Sequence, residues 1–156
     1  MPLSKLTHYL DNHKVKYVVI SHSKAFTAQE VAASAHIPGK DMAKTVIVDA
    51  DGELKMVVVP STHHINFDQL KSALGVHEVS LASEKDFRDR FPDCELGAMP
   101  PFGNLYDMET IVAESLAEDD EIVFNAGTHK KAVKLSFEDF RSLVKPKIIE
   151  TAVKHA

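Results

Sequence analysis

An α/β (α+β) domain, with a mixed, partly antiparallel central sheet and helices packed around it, is the fold class this sequence predicts. Two observations lead there. Strand-like and helix-like segments alternate irregularly along the chain, and several adjacent strands are joined by turns too short to carry a crossover helix. The length of 156 residues suits a single domain over 1–156, with its core expected at about 15–145. A chain of this size buries roughly two thirds of the surface it exposes when unfolded, enough for one real core.

Leu3, Leu6 and Leu10 recur at helical spacing, so residues 3–13 read as a short amphipathic helix. Val15 to Ile20 is β-branched and aromatic and predicts a strand. Thr27-Ala28-Gln29-Glu30 forms a capping box opening a helix to about Ala35, stopped by Pro38-Gly39. Residues 44–50 and 54–59 are strands joined by Asp49-Ala50-Asp51-Gly52, a hairpin signal because Asp-Gly tolerates positive φ. Asn66-Phe67-Asp68-Gln69 starts a helix that Gly75 stops, and Ser83 caps another through about Arg90. Glu95 to Asn104 holds Gly97, Pro100-Pro101 and Gly103. Prolines remove amide donors and fix φ, so neither a regular helix nor a central strand fits there. That loop is expected to be largely exposed. Glu121 to Asn125 and Lys131 to Leu135 are strands about a turn at Gly127. Ser136 caps a last helix through about Val144, Pro146 ends it, and the tail from Lys147 is expected as a weak helix.

Hydrophobic residues make up 44% and charged residues 26%, the balance of a globular rather than a disordered chain. The net charge of −5 argues against coating long nucleic acid, which needs a broad Lys/Arg surface. A pocket for one RNA end needs only one or two cations. Neither DNA nor a membrane is an expected partner. The longest plain apolar run, Met56 to Val59, is far too short to span a bilayer. Met1 to His8 lacks the apolar stretch of a secretory signal. Cys94 is the single cysteine, which excludes an internal disulfide and suits a reducing, cytoplasmic setting.

The motifs of covalent and nucleotide-dependent enzymes are missing. No Gly-x-Ser-x-Gly elbow, Gly-Lys-Ser/Thr phosphate loop or Gly-x-Gly-x-x-Gly run occurs. Cys94 lies between Asp93 and Glu95, whose charges raise a thiol pKa, so an activated nucleophile is not expected. Nine histidines invite a metal, yet the adjacent His63-His64 cannot form the i, i+4 pair of a zinc helix. Asp49-x-Asp51-Gly52 has the opening of a calcium loop, but Pro60 stands where the required glutamate would be. No metal and no cofactor is expected.

Three segments remain. Gly97-Ala98-Met99-Pro100-Pro101-Phe102-Gly103-Asn104 is a rigid loop whose glycines let backbone approach a ligand, although a plain surface loop has the same composition. Asn125-Ala126-Gly127-Thr128-His129 is a polar turn at a strand end. Lys44 opens the apolar strand Thr45 to Val48, where a solvated strand end is the ordinary alternative.

Taken in order, these segments resemble the YbaK/prolyl-tRNA-synthetase-associated editing domain family. The resemblance starts at Phe26-Thr27-Ala28-Gln29-Glu30-Val31-Ala32 and passes Ala43-Lys44-Thr45-Val46, Val57-Val58-Val59-Pro60 and the Gly97 to Asn104 loop. It ends with Phe124-Asn125-Ala126-Gly127 and the helix at Phe137 to Phe140. It implies a free-standing aminoacyl-tRNA deacylase that hydrolyses, in trans, the ester of a mischarged tRNA. The usual substrate would be tRNA for proline carrying a small non-cognate amino acid. Lys44 falls on the family lysine that holds the 3′ end of the tRNA. Gly97 and Pro101 fall on a Gly-x-x-x-Pro loop that frames the aminoacyl group, and His129 on a histidine that some members carry. The resemblance thus makes Lys44, Gly97 and His129 candidate catalytic residues. Thr45, Ala98, Pro101, Phe102, Gly103, Asn125 and Gly127 become candidate substrate contacts. The implied partner is the acceptor end of mischarged tRNA, with prolyl-tRNA synthetase a further candidate. A non-catalytic module that binds aminoacyl-tRNA or a small ligand is the alternative. An aminoacyl ester is already activated, so its hydrolysis needs a positioned water and a stabilised oxyanion rather than a covalent nucleophile.

Overall fold

The computed structural model describes residues 2–21, 41–92, 94, 98–118, 120–128, 130–150 and 152–154, the first three and last three of these by backbone alone. The helix expected at Thr27 lies outside them.

The β-branched runs at the centre form a hairpin of β2 (Met42–Ala50) and β3 (Glu53–Pro60), paired antiparallel from Ala43–Pro60 to Ala50–Glu53. Asp51 and Gly52 make its turn with φ of 51° and 87°, the left-handed geometry a two-residue hairpin turn demands. Asp49 Oδ1 accepts the Gly52 N–H at 2.7 Å, and the Asp51 carboxylate accepts the N–H groups of His77 and Glu78. The turn is therefore fixed by side chains as well as by backbone.

Before the hairpin come α1 (Pro2–Asn12) and β1 (Tyr17–Ser21). After it the chain forms β4 (His63–Ile65), α2 (Phe67–Leu74), β5 (Val79–Leu81) and the short α3 (Glu84–Phe87). Two one-turn 3-10 helices follow, at Arg88–Arg90 and Gly103–Leu105. The last part comprises β6 (Glu109–Ala113), α4 (Glu114–Ala117), β7 (Glu121–Asn125), β8 (Lys131–Ser136), α5 (Phe137–Val144), β9 (Lys147–Ile149) and β10 (Ala152–Lys154). No described helix is long and apolar enough to cross a membrane.

The helix boundaries follow the capping chemistry. Asn66 accepts the Gln69 N–H to start α2, and Gly75, at φ 67°, ends it. Ser83 and Asp86 form a reciprocal capping box on α3, and Ser136 accepts the Asp139 N–H at 3.1 Å to start α5.

The main sheet runs β1-β8-β7-β2-β3-β6-β9, with β5 also on β2, and β10 pairs with β4 apart from it. β1–β8, β8–β7, β2–β3 and β2–β5 are antiparallel, whereas β7–β2, β3–β6 and β6–β9 are parallel. The predicted mixed sheet is thus present. Alternate side chains separate its two faces. One face packs Ala43, Ile47, Met56, Val58, Phe124 and Val133 against α1, α5 and the 98–102 loop. The other packs Val48, Val57, Val59, Ile111 and Ala113 against Leu70 of α2. β3 is buried on both faces from Lys55 to Pro60, as a strand between two partners should be.

The tail corrects one expectation. Instead of a weak helix, residues 147–149 and 152–154 are strands, placed beside β6 and β4. Lys145 adopts φ 51° and Pro146 cannot continue a helix, so the chain leaves α5 extended. Its Ile148 and Ile149 then pack against the two core layers.

Candidate functional site

β2 has β3 along one edge and two different partners along the other. β7 joins it in parallel at Met42–Val123 and Ala43–Phe124, and β5 joins it only from Val48 onward. Among the described residues no strand pairs with that edge over residues 44–47, although the Ile47 carbonyl accepts the Ala82 N–H at 3.0 Å. The sheet forks at Lys44, where the carboxyl end of β7 leaves β2. Such a parting beside the end of a parallel strand is where open α/β sheets offer a crevice to ligands.

Lys44 and Asn125 each stand one residue beyond the last β2–β7 register pair. Both are two residues on from the partners Met42 and Val123, so the period of the strand puts them side by side on one face. Lys44 is half-buried, and this burial pushes its ammonium below the usual lysine pKa. It has no ion-pair partner among the described residues. Asn125 is only 7% exposed, and its Oδ1 is buried with no hydrogen-bond partner among the described residues. The fork therefore presents a partly desolvated cation beside an unused amide acceptor.

The Asn125 turn is stitched to the proline loop. Gly127, at φ 92°, donates its N–H to the Ala98 carbonyl at 2.8 Å, and Ala126 donates to the Lys131 carbonyl at 3.1 Å. The positive φ explains why residue 127 is glycine.

The loop itself is not the exposed segment expected from its composition: Ala98 through Gly103 are all buried. The reason is Phe102, which is fully buried with its ring centroid 6.0 Å from Tyr9, 5.5 Å from Phe124 and 5.4 Å from Phe140. Burying an aromatic ring at the centre of the core draws its neighbours inward. Gly103 donates its N–H to Thr110 Oγ1 at 3.0 Å, and a Cβ there would collide with the Met108 carbonyl and the Thr110 hydroxyl. Its lack of a side chain is explained by packing. Thr45 shares its face with Ala43 and Ile47, opposite Lys44.

The predicted residues thus divide. Lys44 and Asn125 meet at the fork, with Gly127 and Ala98 bonded to each other beyond the end of β7. Thr45, Phe102 and Gly103 belong to the other face, and Pro101 is buried beside Phe102 in the loop. Gly97 and His129 lie outside the described residues. Among the described residues no three of His, Cys, Asp and Glu converge as metal ligands. Cys94 is half-buried, with Sγ 3.5 Å from the Tyr106 hydroxyl. A separate cleft of about 640 Å³ at the hairpin end, lined by Asp49, Glu53, Asp86, Arg90, Asp107 and Glu109, escaped sequence reading because its residues are scattered along the chain.

Together these features define a small α/β domain with a lysine–amide pair at a fork in its mixed sheet. The family model described as aminoacyl-tRNA editing domain matches residues 22–143, and the chain belongs to that family. A proline–tRNA ligase of Bacillus mycoides (strain KBAB4) is 29% identical over 89 residues, 57% of this chain and 16% of the ligase. The match therefore spans about a sixth of that enzyme. A solved structure described as a candidate trans-editing enzyme for prolyl tRNA synthetase superposes with a TM-score of 0.82 at 15% identity, covering 99% of this chain and 98% of the other. A hypothetical protein of known structure reaches a TM-score of 0.85 at 17% identity, covering 96% and 99%. At such identities the two structures speak for the fold alone.

Proposed function

We propose that this chain is an aminoacyl-tRNA deacylase, acting in trans on the ester of a mischarged tRNA, with tRNA for proline bearing a small non-cognate amino acid as substrate. The observation that carries this reading is the half-buried Lys44, without an ion-pair partner among the described residues, beside the unpartnered amide oxygen of Asn125, in a chain of the editing-domain family. A cation held partly out of water interacts more strongly with an anion than a solvated one does. In this reading Lys44 takes a phosphate at the 3′ end of the tRNA, and the ester lies along the fork toward Asn125.

Hydrolysis then requires a water placed on the ester carbonyl and donors aimed at the developing oxyanion. Backbone N–H groups of the loop at Gly97 are assigned that second role, with Pro101 holding the loop in shape and His129 assisting the water. These assignments follow the family resemblance. Selection of a small amino acid by pocket volume suits a second sieve, since one methylene is worth only about 1–3 kcal/mol to a synthetase pocket. No metal or cofactor takes part. Prolyl-tRNA synthetase is the proposed source of the mischarged tRNA, and the cytoplasm the proposed setting.

The test is a panel of mischarged tRNAs, scored for deacylation by the purified chain. Rapid clearance of a small amino acid from tRNA for proline, undiminished by chelator, is expected. Binding of these tRNAs without hydrolysis would replace the enzyme by a recognition module.

A further inference from the structure

Asn125 is more than nine-tenths buried, yet its amide oxygen has no hydrogen-bond partner among the described residues. Leaving such an acceptor unpaired costs stability. Gln69 Oε1 and Ser115 Oγ are also buried without partners among the described residues, but Asn125 Oδ1 stands beside a half-buried cation at the fork, where a ligand can bring the donor. The choice of side chain narrows the donor. A carboxylate beside Lys44 would pair with the ammonium and cancel its charge, whereas a neutral amide leaves the cation free for an anion. Asn125 carries its amide on one carbon and Lys44 its ammonium on four. The acceptor is therefore held near the sheet and the cation can reach farther out.

An aminoacyl ester matches this arrangement from end to end. Its phosphate lies toward the nucleotide, and its α-ammonium, a group of three donors with no acceptor, lies beside the scissile carbonyl. We propose that Asn125 Oδ1 accepts a hydrogen bond from the α-ammonium of the aminoacyl group, and that this contact restricts the site to aminoacyl esters whose amine is free. The inference rests on the deacylase reading and adds to it the chemical class of ester accepted. Acylation of the amine removes its charge and two of its donors and adds bulk at the buried end, so N-blocked esters lose the contact.

The experiment compares one mischarged tRNA with its N-acetylated form, using the parent chain, Asn125→Leu and Asn125→Ala, with thermal unfolding measured alongside. The parent is expected to hydrolyse the free-amine ester about ten- to a hundred-fold faster, the range of a lost charge-assisted hydrogen bond. Asn125→Leu keeps a similar volume and removes the orphan oxygen. It should melt no lower than the parent while the preference falls to near unity, chiefly by slower hydrolysis of the free-amine ester. Asn125→Ala should lose the preference in the same way, which keeps the test open if the leucine variant does not fold. Equal rates on both esters by the parent, or a preference that survives in both variants, would overturn the role of Asn125 and leave the deacylase standing. Hydrolysis of neither ester would remove the deacylase reading and this inference with it.

Discussion

On one face of the central sheet Phe102 is enclosed by Tyr9, Phe124 and Phe140, and the glycine after it donates to Thr110. On the other face, among the described residues, Lys44 is half-buried without an ion-pair partner and Asn125 holds a buried oxygen without a hydrogen-bond partner. The first arrangement is what stability alone selects: apolar area removed from water and every polar group satisfied. The second costs stability and makes sense only if something else completes it. The two meet at adjacent residues, since Phe124 faces the aromatic layer and Asn125 the fork.

The contrast can be sharpened by substitution. Phe102→Ala should have the largest effect on folding, because it removes a fully buried ring that touches three others. A loss of about 3–5 kcal/mol is expected in denaturant unfolding, a large share of the roughly 5–15 kcal/mol that an ordinary domain has. A loss under about 1 kcal/mol would mean that the aromatic layer is not the structural face.

Lys44→Met should act in the opposite direction. Burial lowers the Lys44 pKa from the usual 10.5, so the unfolded chain binds this proton more tightly than the folded one. The charged lysine therefore costs stability below its folded pKa, and that cost fades as pH rises from there to 10.5. Thermal unfolding at neutral pH should find Lys44→Met as stable as the parent or more so, with the margin narrowing in alkali. A less stable variant at neutral pH would make Lys44 a structural residue.

The smallest effect is expected at Asp51, in the hairpin turn. Hydrogen bonds from the backbone of His77 and Glu78 hold its carboxyl below the usual 3.8. Its contribution is present above that value and is lost as pH falls through the folded pKa. Asp51→Asn should lower the melting temperature slightly at neutral pH, and the difference should close in acid. A gap that stays constant with pH would show that the charge is not what matters.

Local chemistry was legible in the sequence, and long-range pairing was not. The Asp51-Gly52 turn, the Asn66 and Gly75 ends of α2 and the Ser136 cap all follow from a few adjacent residues. β6, by contrast, is buried at every residue after Glu109 and shows no alternation to betray a strand. β9 has only three residues and exists because β6 lies beside it. At the site, Lys44 and Asn125 could be named singly, but their neighbourhood depends on a parallel pairing between β2 and β7, far apart in the chain. Strand alternation within β2 puts Thr45 on the opposite face from Lys44, although the two are neighbours in sequence. Phe102 looked like a loop residue because prolines and glycines surround it, and only its ring contacts reveal a core position.

Lys44→Ala tests the central claim most directly, through its deacylation rate on the best mischarged tRNA and its thermal unfolding in the same buffer. Losing a charge-assisted hydrogen bond to phosphate removes roughly 1.5–3 kcal/mol of binding, so the rate should fall about ten- to a hundred-fold. The unfolding temperature should stay level or rise, because a partly desolvated cation has gone. A variant that clears the substrate at the parent rate would place the chemistry away from the fork.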